Sequence, residues 1–198
     1  MTGKVEIRKA KLRETLIDVA EAQIVAGGIG ALKARPIAQA AGCSVGAIYN
    51  IFEDLEALSM AVNGRTFRRL GSFVSERVEA AAQDTPNAQM IVMSHAYLHF
   101  ASHHTHLWRA LFDLEMSVDG HVPAWYLKEL GDVFALIDAP LRRLFPDMDN
   151  AARGLMVRGL FSAVHGIVLL GLERRISAVP QDQIEMMLAQ VLGEIGNS

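Results

Sequence analysis

Apolar residues recur every three to four positions along most of the chain, and no stretch keeps the two-residue alternation of a half-buried strand. Leu12, Leu16, Val19, Ala20 and Ile24 form one helical stripe, which Gly27-Gly28 ends. A short helix is expected over about 34–41, with Pro36 in its first turn, where a missing N–H does little harm. Gly42 breaks it, and Ser44 is placed to cap a third short helix over about 45–51. A fourth runs from near Asp54 to about Ala82, and Asp84-Thr85-Pro86-Asn87 interrupts the pattern. Further helices are expected over about 87–103, 105–116, 123–145, 148–176 and 181–196, with breaks near Gly120, Pro140 and Pro146. The last has one apolar face, made by Ile184, Met187, Leu188, Val191, Leu192 and Ile195. The pattern predicts an all-α protein. Residues 1–58 read as a three-helix helix-turn-helix domain, and residues 59–198 as a larger helical bundle.

Composition changes this picture little, and charge distribution changes it more. Half of the 198 residues are apolar, enough for a core. The net charge of −3 is uninformative, but it is unevenly placed. Residues 1–69 hold 10 Lys and Arg against 7 Asp and Glu, while residues 70–198 hold 9 against 15. A basic N-terminal part on an acidic remainder suits a surface that meets a polyanion; scattered surface charge is the plainer reading. The single cysteine, Cys43, forms no internal disulfide and fits a reducing compartment. The polar, basic segment 1–13 lacks a signal-peptide core. The apolar run from Gly159 to Leu172 is interrupted by His165 and is short for a bilayer. A cytoplasmic protein is expected.

The segment 37–51 meets the demands of a helix-turn-helix. Two helices that cross steeply need a small residue at the crossing, which Ala38 supplies. The turn needs a left-handed backbone position, which penalises a Cβ and which Gly42 fills. The second helix needs an apolar anchor facing the first, and Ile48 is that anchor, with Ile37 and Ile51 completing the small core. Ser44, Val45, Ala47, Tyr49 and Asn50 are then left to face a major groove.

With these residues in place, segment 12–62 resembles the DNA-binding domain of the TetR/AcrR family of bacterial repressors. The resemblance is carried by Ala20, Gly28, Ile37-Ala38, Ala41-Gly42, Ser44, Tyr49, Phe52, Glu56 and Leu58. It implies an all-helical homodimer that binds double-stranded operator DNA and carries a variable C-terminal domain for a small-molecule inducer. Two positions depart from the family pattern. Leu55 stands where the family has a phosphate-contacting Lys, and Lys33 where a Thr or Ser often caps the second helix. Residues 36–64 contain no Lys or Arg. Phosphate contacts, which supply much of DNA affinity, are therefore expected from elsewhere. The candidates are Lys4, Arg8, Lys9, Lys11 and Arg13 before the first helix, Lys33 and Arg35 at the second, and Arg65, Arg68 and Arg69 beyond the start of the fourth. Tyr49 is read as a phosphate contact or as a packed tyrosine. Asn50 is read as a bidentate partner of adenine or as a solvated side chain, and Val45 and Ala47 as thymine-methyl contacts or as small residues that permit close approach.

In the C-terminal part, Gly159, Ser162, Ala163 and Gly166 share one helical face, which lets another helix approach closely. With Ile184, Met187, Leu188 and Val191 of the last helix it is a candidate two-fold interface, the alternative being packing within one chain. Phe161 followed by His165-Gly166 resembles the Trp-x3-His-Gly signature of one subgroup of the family. An inducer cavity would be lined by aromatic and Met side chains. The candidates are Tyr97, Phe100, Trp108, Phe112, Met116, Trp125, Tyr126, Phe134 and Phe161, with His165, which is also read as a packed histidine. His95, His99 and His103 share a helical face, so a metal or haem sensor on the same scaffold is an alternative, although no cofactor is expected. A helix-turn-helix protein with weakened DNA affinity is another, motivated by Leu55 and the uncharged recognition helix. Gly28-Ile29-Gly30 is too short for a dinucleotide fingerprint, and no hydrolase, nucleotide-binding or metalloprotease motif occurs, so no enzyme is expected.

Overall fold

The structure, a computed structural model, describes residues 2–114, 122–173 and 180–196. Among them the chain forms α-helices and two short 3-10 turns, and no strand. The α-helices are α1 (Thr2–Gly27), α2 (Ala34–Ala40), α3 (Val45–Tyr49), α4 (Leu55–Ala80), α5 (Pro86–His103), α6 (Thr105–Asp113), α7 (Ala124–Leu144), α8 (Asn150–Leu172) and α9 (Ile184–Gly193). Met116, the expected break at Gly120 and the ends of the helices expected over 105–116 and 148–176 lie outside the described residues.

Two expectations need correcting. The basic N-terminal segment is not a stretch before the first helix but its first turns, because α1 begins at Thr2. And α7 does not break at Pro140 but continues to Leu144. The ring removes one N–H, the one that would meet the carbonyl of Leu136, and the rest of the ladder carries the helix on.

Packing divides the chain into two compact units. The first comprises Met1–Phe67 and His104–Tyr126, the second Arg68–His103 and Leu127–Ser198. Helix α4 is continuous through the division, contributing its first half to one unit and its second half to the other. The first unit is built on Leu16, Ile24, Ile37, Ile48, Leu58 and Val62, all fully buried, joined by Leu107 and Ala110 of α6. Burial of each of the larger aliphatic chains is worth about 1.5–3 kcal/mol. Asn63 is buried with them and donates from Nδ2 to the carbonyl of Ala110 at 2.8 Å, fastening α4 to α6.

In the second unit α5 packs against α8 and α9. Leu141 of α7, Met90 of α5, Val157 of α8 and Leu192 of α9 form its apolar centre. The two C-terminal helices meet closely at Gly171, where any Cβ would fall 2.4 Å from Cδ1 of Ile184. The Asn87 amide donates to the carbonyls of Leu192 and Ile195, both at 2.9 Å, and so closes the end of α9. Among the described residues one cation is buried here. Arg153 donates to Asp138, to the Met148 carbonyl and to Asn150, so its charge is balanced and each of its three nitrogens has a partner.

Candidate nucleic-acid interface and ligand cavity

The helix-turn-helix forms as its local chemistry requires. Gly42 takes a φ of +65°, the left-handed position a Cβ disfavours. Cys43 N–H closes the turn on the Ala38 carbonyl at 2.9 Å. Ser44 caps α3 by accepting from Ala47 N–H at 3.2 Å, and Asp54 caps α4 by accepting from Ala57 N–H at 2.6 Å. Lys33 stands at the start of α2 without a side-chain cap, as its lack of an acceptor dictates.

With Ile48 and Phe52 turned inward, α3 presents Ser44, Tyr49 and Asn50 to solvent, and Tyr49 is 48% exposed. Val45 and Ala47 are half-buried, the former packed against the core. Leu55, where the family pattern has a lysine, is half-buried against the same core. Lys33 and Arg35 are exposed at the start of α2. Lys4, Arg8, Lys9 and Lys11 are exposed on α1, where Lys4, Arg8 and Lys11 fall on one face. Arg13 lies over the ring of Phe52, 5.3 Å from its centroid.

Two arginines of α4, Arg65 and Arg68, are engaged with acids. Arg65 meets Asp18 and Glu14 at 2.6 Å each and Glu21 at 3.5 Å. Partial burial opposes its charge, but the hydrogen bonds to Asp18 and Glu14 outweigh that and hold its pKa above the ordinary guanidinium value. Arg68 pairs with Glu129. Within the chain these two guanidiniums have acids as partners, which compete with phosphate for them.

The second unit holds a partly open, apolar cavity of about 70 Å³. On that scale a single water occupies ~10–15 Å³, so the space is that of several waters and falls short of the ~300–1,000 Å³ of pockets that hold drug-sized ligands. Its wall takes Leu70 and Val74 from α4, Tyr97 from α5, Val133 from α7, Phe161 from α8 and Leu192 from α9. Of the aromatic candidates, Tyr97 and Phe161 line the cavity itself. Phe134 packs edge-on against Phe161, and His165 stacks on Phe161 and meets the Tyr97 hydroxyl. Phe100 is buried beside Phe73 and is not part of the wall. Trp108, Phe112 and Trp125 belong to the first unit, with Trp108 buried and the other two exposed. The aliphatic wall escaped sequence reading because Leu, Val and Ile at helical spacing mark any core.

The small-residue face of α8 is open. Gly159, Ser162 and Ala163 are exposed, Gly166 is half-buried, and a Cβ added to Gly159 or Gly166 would meet nothing. Leu155 and Leu170 of α8 and Met186 of α9 are further exposed apolar residues, which spacing did not single out. Within α9 the expected interface set divides. Met187 and Val191 are partly accessible, whereas Ile184 and Leu188 are fully buried against their own chain. Those two are corrected to core residues, since Ile184 fills the notch at Gly171.

The histidines do not converge. His95 Nε2 lies 3.1 Å from the Glu185 carbonyl, while the rings of His99 and His103 stack with centroids 4.0 Å apart. No three His, Cys, Asp or Glu side chains come together as a metal site among the described residues.

Comparison with known proteins agrees with this anatomy. Residues 16–62 match the model for bacterial regulatory proteins of the tetR family, and residues 90–194 match the tetracyclin repressor-like C-terminal domain. This second match is coarser than the subgroup suggested by Phe161 and His165-Gly166. No curated protein sequence matches the chain. Among solved structures, a protein of unknown function from Rhodococcus sp. RHA1 superimposes with a TM-score of 0.72 at 22% identity, over 91% of this chain and 93% of its own. A tetR-family transcriptional regulator from Streptomyces coelicolor superimposes with a TM-score of 0.68 at 21% identity, over 94% and 80%. A TetR transcriptional regulator from Rhodococcus sp. RHA1 gives 0.64 at 14% identity, over 93% and 95%.

Proposed function

We propose that this chain, which belongs to the TetR family of bacterial regulatory proteins, is a repressor that binds operator DNA as a homodimer and releases it when a small molecule fills its C-terminal cavity. In this reading residues 1–58 form the DNA-binding domain, and residues 59–198 bind the inducer and dimerise. The observation that carries the reading is the course of α4. Leu70 and Val74 line the cavity, and the same continuous helix holds Leu58, Ala61 and Val62 in the core that supports the helix-turn-helix.

Tyr49 and Asn50 would enter the major groove with Ser44, Val45 and Ala47. Lys4, Arg8, Lys9, Lys33 and Arg35 would neutralise phosphates. The open face of α8, with Met187 and Val191, would receive a second copy across a two-fold axis. Helix α8 is long and apolar enough to cross a membrane by length and composition. Its apolarity is better accounted for by two protein faces, one on the cavity and one on the partner, in a cytoplasmic regulator. The inducer would act by shifting population toward a dimer whose two α3 helices no longer match successive major grooves, about 34 Å apart.

The experiment is fluorescence anisotropy on purified protein with DNA flanking its own gene, at two salt concentrations. Sequence-selective binding with a steep salt slope is expected. Binding no tighter than to random DNA across all flanking segments would overturn the reading.

A further inference from the structure

We infer that the cavity selects uncharged, predominantly hydrocarbon ligands and rejects carboxylates and amines of the same size. The inference rests on the reading of this cavity as the inducer site and adds the chemistry of its occupant. Among the described residues thirteen line the space, and none of these carries a charge. Their only side-chain heteroatoms apart from the methionine sulfurs are the hydroxyls of Ser94 and Tyr97. The Ser94 hydroxyl donates to the Ile91 carbonyl of its own helix at 2.8 Å. The Tyr97 hydroxyl is bonded to His165 Nδ1 at 2.8 Å. An ionised ligand group would therefore leave water for a wall with no countercharge, which is costly. A single ligand hydroxyl could donate to the Tyr97 oxygen, and the rest of the ligand must be apolar to match the aliphatic wall.

His165 is the group beside the cavity that could supply a positive charge, and burial holds its pKa below the ordinary imidazole value. Burial thus favours its neutral form and withholds the positive charge that would offset a carboxylate. The buried cation Arg153 is committed to Asp138, Met148 and Asn150 and does not line the cavity.

The test compares three probes of one chain length on the full-length protein at pH 7.5: octan-1-ol, octanoate and octylamine, by calorimetry and thermal shift. Octan-1-ol is expected to bind more tightly than either charged analogue by about tenfold or more. From hexan-1-ol to octan-1-ol affinity should rise about fourfold per methylene, as apolar burial requires. Val133→Phe and, independently, Val164→Phe should abolish octan-1-ol binding in protein whose circular dichroism is unchanged. Tighter binding of octanoate or octylamine would overturn the inference and leave the inducer-site reading standing. Undiminished octan-1-ol binding in both folded variants would also overturn it, by removing the ligand from this cavity. Binding of none of the three would sink both. Saturating octan-1-ol that leaves the operator complex intact would uphold the ligand chemistry and sink the release mechanism.

Discussion

The hydroxyl of Tyr97 lies 2.8 Å from Nδ1 of His165, and this bond joins the middle of α5 to the middle of α8 beside Phe161. Burial holds the His165 pKa below its ordinary value, so the folded protein binds this proton less readily than the unfolded chain does. Stability then increases with pH over the range in which only the unfolded chain is protonated. As pH falls below the ordinary histidine value near 6.5, stability is lost until the folded pKa is passed. His165→Gln should lose less stability than the parent between pH 7.5 and 5.5, measured as thermal midpoints in matched buffers. Identical pH dependence in the two proteins would remove His165 from this role.

Arg65 is clamped by Glu14, Asp18 and Glu21 from the neighbouring helix. Arg65→Ala should destabilise the protein by about 1 kcal/mol, the upper end for accessible ion pairs, because three acids are left facing one another. It should leave the salt dependence of DNA binding unchanged. A drop of about one unit in the salt slope would instead restore Arg65 as a phosphate contact.

The parts of the fold legible in the sequence were those whose requirements are local. Gly42 and Ile48 could be placed because a left-handed turn and an inward anchor are set within a dozen residues. The helix limits followed from Gly27-Gly28, Ser44 and the Pro86 break for the same reason. What could not be read depends on distant neighbours. The acids that hold Arg65 are 44–51 residues away, so its sequence surroundings show only a basic residue within a helix. The stripe on α9 announced an apolar face but not its cover, and Ile184 and Leu188 turned out to meet their own chain. Likewise Trp108 and Tyr97 are both buried aromatics on consecutive helices, yet they belong to different units, which periodicity cannot resolve.

The open α8 face makes a separable prediction about assembly. Ala163 is exposed and lies between Gly159 and Gly166, where added bulk meets nothing within the chain. Ala163→Arg should leave the thermal unfolding of the monomer cooperative while converting dimer to monomer in size-exclusion chromatography with light scattering. Operator affinity should fall with it, because two half-sites can no longer be held together. A dimer that persists would move the interface elsewhere.

Positioning and reading of DNA should separate between α1 and α3. Lys4, Arg8 and Lys9 are exposed on the first turns of α1, and a helical arm carries them as a rigid group. Phosphate contacts carry no base information, so replacing all three with Ala should weaken binding to operator and random DNA alike. The salt slope should fall by about 0.9 for each phosphate that is no longer neutralised. Asn50 is exposed at the end of α3 and has no charge to contribute. Asn50→Ala should keep the slope and cost about 1–3 kcal/mol of discrimination between the operator and a copy altered at one base pair, as removal of a bidentate base partner does. Anisotropy titrations of both variants at several salt concentrations read the two quantities independently. Should the α1 variant keep its slope while Asn50→Ala lowers it, the roles assigned to the two helices would have to be exchanged.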